Sequence, residues 1–135
     1  MEWEAKAPQL GDIIRTKVTF YHHYGIYVDE NTVIQFGLAD DVGKPADSIR
    51  VLESDIYAFL QGGEVEVGVP DAQERKTIRP PKQIVEQARA RLGEGGYDIL
   101  HNNCEHFVNL CAFGEPRSSF IQNVRSGLRK KLGME

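Results

Sequence analysis

Apolar and polar positions in the first half of the chain follow the two-residue period of extended strands rather than a helical spacing. Residues 12–18 are rich in β-branched side chains and come straight after Leu10-Gly11. Residues 24–28 and 32–36 are short aromatic and β-branched runs around Asp29-Glu30-Asn31, which predicts a hairpin with a polar turn. Residues 38–48 are polar, with Gly43, Pro45 and the aspartates Asp40, Asp41 and Asp47, and predict a solvated loop. The aspartates lack the spacing of a calcium loop. Residues 49–52 predict another strand, and Ser54 is placed to cap a short helix through Leu60, ahead of Gly62-Gly63. Residues 64–69 alternate Val65, Val67 and Val69 with polar partners, as a half-exposed strand does.

The pattern changes at Pro80-Pro81, a pair that opens a helix over residues 82–92, stopped by Gly93. Residues 97–100 predict a short strand, 103–113 a helix, and 118–132 a last helix begun by Ser118-Ser119. Strands first and helices mostly later predict an α+β fold: an antiparallel sheet packed against helices, in a single domain over residues 1–135.

Composition narrows the classes of partner. Apolar residues at 41% and charged residues at 27% belong to an ordered globular domain. A formal net charge of −4 argues against general nucleic-acid binding, which needs a basic footprint. Arg125, Arg129, Lys130 and Lys131 do cluster near the end. They suit the negative pole of a helix C-terminus, and they offer a foot for peripheral contact with an anionic membrane surface. No stretch approaches the roughly 20 apolar residues of a spanning helix, and residues 1–10 carry two acids and no apolar run, unlike a secretory signal. The two cysteines, Cys104 and Cys111, lie seven residues apart on the proposed helix. That is roughly 10.5 Å at 1.5 Å per residue, beyond the ~7 Å a disulfide spans. Free thiols predict a reducing compartment, so a soluble, cytoplasmic protein is expected.

Chemistry concentrates in His101-Asn102-Asn103-Cys104-Glu105-His106-Phe107. Asn102 or Asn103 is the natural N-cap, which places Cys104 in the first helical turn, where unpaired N–H groups and the positive pole favour an anion. A free thiol with a pKa of ~8.5 is only about 3% ionised at neutral pH, and such a position can lower that pKa. Cys104, Phe107, Val108 and Cys111 share one helical face, which makes Cys111 a buried structural thiol. Whether Cys104 is another depends on a base. His22, His23, His101 and His106 are the candidates. On an extended strand Tyr21, His23, Gly25 and Tyr27 share one face; His22, Tyr24, Ile26 and Val28 share the other, which is the more apolar and should meet the core. His23 then projects beside the gap at Gly25. If the turn leaves an odd number of residues unpaired, Gly25 lies opposite Gln35, which becomes the diagonal neighbour of His23 on the same face. An amide there would orient the imidazole without carrying charge. His22 reads as structural or partly exposed, and His106, pointing away from Cys104, as a partner for a neighbouring loop. No Cys-x-x-Cys or His-x-x-x-His pair suggests a metal site.

Asn103-Cys104-Glu105-His106-Phe107-Val108 resembles the Asn-Cys-Glu-His-Phe signature of the lecithin:retinol acyltransferase family. Gly11-Asp12-Ile13-Ile14 and Phe20-Tyr21-His22-His23-Tyr24-Gly25-Ile26-Tyr27-Val28 are similar to that family's Gly-Asp start and histidine strand. The resemblance implies a circularly permuted relative of NlpC-type and papain-like thiol enzymes, with the histidine-bearing hairpin at about 12–36 preceding the cysteine helix at about 103–113. It implies Cys104 as nucleophile, His23 as base and Tyr21 as an oxyanion-side or substrate-orienting hydroxyl. The third polar position falls on Gln35, where the family often has histidine. The activity implied is acyl transfer or hydrolysis through a thioacyl-enzyme on a lipid-like ester, with no cofactor. An amidase or peptidase of NlpC type, and a binding module without activity, are the alternatives. The animal members' C-terminal membrane anchor has no counterpart up to Glu135, which weakens the case for an integral lipid substrate.

Overall fold

The computed structural model describes residues 1–19, 21–41, 43–99 and 102–115. They form β1 (Glu2–Glu4), β2 (Ile13–Val18), β3 (Tyr21–Asp29), β4 (Thr32–Phe36), β5 (Val51–Ser54), α1 (Ile56–Leu60), β6 (Glu66–Val69), α2 (Pro81–Ala90) and α3 (Cys104–Phe113). The six strands make one sheet in the order β1-β6-β2-β3-β4-β5, antiparallel throughout. With its helices this is an α+β architecture.

Helices cover both faces of the sheet, which is why β2 carries two adjacent isoleucines. Ile13 joins Ile26 and Ile34 beneath Ile84 and Ala88 of α2 and Phe107, Val108 and Cys111 of α3. Ile14 points the other way, to Val33, Val67 and Phe59 of α1. The face of β3 expected to meet the core, Tyr24 and Ile26 with Val28, does so against α2 and α3. Gly11, at φ +81°, ends the lead-in to β2; a Cβ there would come within 2.6 Å of the Pro81 Cα, so the start of α2 closes onto the start of β2.

The hairpin register is the one that matters for the site. Gly25 does pair with Gln35, as Ile26 does with Ile34 and Tyr27 with Val33. The turn is shorter than the three residues read from sequence, because Asp29 pairs with Thr32. A bulge between Tyr27 and Asp29 adds Val28 to one strand and restores the odd count that a two-residue turn alone would lose.

Several boundaries differ from the sequence reading. The strand expected over 49–52 is displaced to Val51–Ser54, and Asp55, not Ser54, caps α1 by accepting from the Ala58 N–H. α1 ends at Gln61, a non-glycine residue in the left-handed region, ahead of Gly62. Helix α2 has Pro81 inside its first turn and ends at Ala90, before Gly93. Residues 38–48 contain short 3-10 turns at Ala39–Asp41 and Ala46–Ser48. Near 97–100 the described residues hold no strand but an isolated bridge from Asp98 to Asn102. Strand β1 had no signal in the three residues Glu2–Glu4; it is held by Trp3, packed edge-on to Tyr24 at 5.7 Å with the Arg15 guanidinium 4.2 Å over its ring. The helix expected over 118–132, the basic cluster within it and His101 lie outside the described residues.

Candidate active site

Helix α3 starts by a reciprocal cap. The Asn103 side chain accepts from the N–H groups of Glu105 and His106, both at 3.0 Å, and the His106 Nδ1 accepts from the Asn103 N–H at 3.0 Å. The Asn103 amide nitrogen also donates to the Ile99 carbonyl at 2.8 Å, tying the helix start to the preceding loop. Thus His106 closes the cap of its own helix, a role the sequence reading had not given it. Cys104 is the first residue of the helix and is buried, as are Asn103 and His106. Cys111 is fully buried among the core residues beneath α3.

The ladder between β3 and β4 reaches only to Gly25 and Gln35. β4 ends at Phe36 and Gly37, at φ +76°, takes the chain aside to donate to the Arg50 carbonyl. Residues 21–24 of β3 continue alongside β2 alone among the described strands. His23 and Cys104 start on opposite sheet faces, and this stretch of edge is where both reach one cavity. That cavity holds about 10 Å³, room for about one water's centre. Tyr21, His23, Leu38, Asp41, Tyr97 and Cys104 are among its walls.

His23 is held from behind. Its Nε2 lies 2.8 Å from Gln35 Oε1, the Gln35 amide nitrogen donates to Ser54 Oγ, and Ser54 Oγ donates to the Asp55 carbonyl at 2.9 Å. The Phe59 ring lies 5.2 Å from the imidazole, reaching it over Gly25, where a Cβ would come within 2.8 Å of that ring. Gln35 is fully buried and meets the solvent nowhere. The Tyr21 hydroxyl, for its part, donates to the Ala39 carbonyl. His22 lies on the opposite face, one third exposed, 3.9 Å from Glu66.

Electrostatics keep the pair neutral at rest. Burial lowers the His23 pKa against the Gln35 hydrogen bond, the Asp41 charge and the Gly37 carbonyl. Burial pushes the Cys104 thiol up to about 11, although the N–H groups of Tyr24, Cys104 and Glu105 work the other way. The expectation that the helix start lowers this thiol's pKa is thereby corrected: in the closed cavity desolvation outweighs it. Cys111 is likewise pushed up to about 12 by burial.

Sequence reasoning missed Ser54, Asp41 and Tyr97. Asp41, read as solvated, turns inward: its carboxylate accepts from the Leu38 N–H and from Lys44, and these hold its pKa down although burial opposes them. Tyr97 packs edge-on to Phe36 at 5.2 Å and also lines an open groove of about 680 Å³ with Asp47, Arg50 and Asp98. Ser54 had a signal. It pairs with Val33, so it is the diagonal neighbour of Gln35 on the same face, once β5 is extended through it. Among the described residues no three His, Cys, Asp or Glu side chains gather as metal ligands, and no helix is long and apolar enough to cross a membrane.

The lecithin retinol acyltransferase family profile matches residues 6–117, from before the β2 turn to just past α3. The chain is 31% identical over 145 residues to the lecithin retinol acyltransferase of Bos taurus, covering 88% of this chain and 62% of the relative. It is 30% identical over 153 residues to that of Homo sapiens, covering 94% and 66%. Phospholipase A and acyltransferase 2 of Homo sapiens is 30% identical over 123 residues, covering 84% and 76%. The chain therefore belongs to the lecithin retinol acyltransferase family, and it spans just under two thirds of the two lecithin retinol acyltransferases.

Proposed function

We propose that residues 1–135 form a single domain acting as a cysteine-dependent acyl hydrolase or acyltransferase on a lipid-like acyl ester. One observation carries this reading: Cys104 and His23, 81 positions apart in sequence, line the same small cavity. His23 takes the thiol proton as the sulfur attacks the acyl carbonyl, because neither group is ionised beforehand. N–H groups around the sulfur, those of Tyr24 and Cys104 among them, are the candidate donors to the developing oxyanion, and one such donor is typically worth roughly 3–4 kcal/mol. The tetrahedral species collapses, its C–O bond breaks, and the imidazolium returns the proton to the departing alcohol. A thioester remains on Cys104. Water or an acceptor alcohol or amine, deprotonated by His23, then takes the acyl group and frees the thiol.

Gln35 holds the imidazole, and Tyr21 orients the substrate after its hydroxyl leaves the Ala39 carbonyl. An acyl chain is far larger than the closed cavity, so catalysis requires the wall to part, and Tyr97, between cavity and groove, is the element to move. The names of the relatives, with retinol, lecithin and phospholipase A, support a lipid donor. Peripheral contact with an anionic membrane through Arg125, Arg129, Lys130 and Lys131, in a reducing cytoplasm, belongs to the same proposal.

Intact-mass measurement after incubation with phosphatidylcholine micelles tests it. The expected product is a single acyl adduct, abolished by Cys104→Ala and retained in Cys111→Ala. Neither adduct nor released fatty acid from the wild-type protein would sink the lipid reading, and an adduct from acyl-amides alone would favour an amidase.

A further inference from the structure

A glutamine behind a catalytic histidine poses a problem that a carboxylate does not. Its amide has an accepting end and a donating end of nearly the same shape. With Oε1 toward the ring, the histidine carries its proton on Nε2 and keeps the Nδ1 lone pair. With the amide nitrogen toward the ring, the proton must move to Nδ1. The Gly37 backbone also acts on this imidazole, favouring its protonated form. In that second arrangement no lone pair is left at Nδ1 for the Cys104 proton. At His23 the choice of amide orientation is therefore a choice between a working base and an idle one.

We propose that Ser54 is a positioning residue that sets the orientation of the Gln35 amide and, through it, the tautomer of His23. A serine hydroxyl has one hydrogen. Ser54 gives it to the Asp55 carbonyl at 2.9 Å, which leaves only lone pairs facing Gln35. The Gln35 atom beside Ser54 must then be the N–H donor, and Oε1 must face His23, where it lies 2.8 Å from Nε2. Gln35 is fully buried, so no bulk water offers its amide an alternative partner. The Asp55 carbonyl is itself fixed, because it also accepts from the Phe59 N–H at 3.2 Å in the only turns of α1. A five-residue helix thus ends the relay with a carbonyl and supports the ring with Phe59. This inference rests on the reading of His23 as the base.

Two measurements on the full chain test it. Long-range proton–nitrogen correlation spectra report which ring nitrogen of His23 is protonated, independently of any activity. The wild-type protein and Ser54→Thr are expected to show Nε2–H; Ser54→Ala and Ser54→Val, the latter matching threonine in shape, are expected to move toward Nδ1–H. The second is the rate of Cys104 acylation in a cycle with Gln35→Glu, whose carboxylate has two equivalent accepting ends. Removing the Ser54 hydroxyl is expected to slow acylation roughly tenfold beside Gln35 and under about twofold beside glutamate. An unchanged tautomer in both hydroxyl-free variants, or an equal slowing in both backgrounds, would overturn the proposal. Failure of the wild-type protein to acylate would instead defeat the enzymatic reading, while the spectra would still decide the role of Ser54.

Discussion

Burial pushes Cys104 up to about 11 and lowers the pKa of His23, so a neutral thiol meets a neutral imidazole across the pH range where most enzymes work. Both shifts have consequences for stability with a definite sign. The folded-state pKa of His23 is depressed; its contribution is present above the unfolded value of ~6.5 and is lost as pH falls from there through the folded value. Thermal melts between pH 7 and 5 should fall for the wild-type protein and fall less for His23→Asn. The two thiols act at the other end. Their folded pKa values are raised, so their contribution is intact below the unfolded value of ~8.5 and is lost as pH climbs toward about 11 for Cys104 and about 12 for Cys111. Cys111→Ala should flatten the alkaline loss of stability without touching acylation. Chemical modification follows the same logic: iodoacetamide should alkylate both buried thiols slowly near neutrality.

At the scale of elements, α3 is fixed at both ends by side chains far apart in sequence. Asn103 and His106 satisfy its first turn, and the Arg79 guanidinium donates to the carbonyls of Leu110 and Cys111 at 3.0 and 2.9 Å in its last. Asn103→Ala should cost about 1 kcal/mol in a denaturant titration, and Arg79→Ala about 1.5–3 kcal/mol. The cysteine motif was legible in part: the Asn103 cap, the first-turn Cys104 and the core Phe107 each have a local signal, whereas the reciprocal cap by His106 was not read. α1 was visible in outline, yet its importance was not, since five residues carry little periodicity and Phe59 packs with Ile14 and Val33, far away in sequence. Phe59→Ala should cost about 3–5 kcal/mol, and Phe59→Leu, which keeps the core filled, should slow acylation more than it lowers stability.

Across the whole molecule, the parts read well from sequence are those governed by spacing along one strand or helix: the two faces of β3 and the start of α3. β6 was found, but it begins at Glu66 and buries Val67 and Gly68 side by side instead of alternating. The parts read poorly depend on where the chain leaves the sheet. Asp41 looked solvated because nothing local says that the turn after Gly37 folds inward, and Tyr97 looked like a strand residue because its partner is Phe36, across the cavity. These two segments close the site. Tyr97→Ala should join the cavity to the neighbouring groove, and the expected result is faster alkylation of Cys104 with Cys111 unchanged, followed by peptide mapping.

The bulge at Val28 has one more consequence, for tolerance to length changes. The hairpin carries a spare residue between Tyr27 and the turn. Deleting Glu30 or Asn31 can be absorbed by straightening the strand, with Val28 taking over the pairing to Thr32 and Gly25 still meeting Gln35. Removing both exhausts that slack and slides Gln35 off His23. The arm that carries His23 thus survives a lost codon once, but not twice.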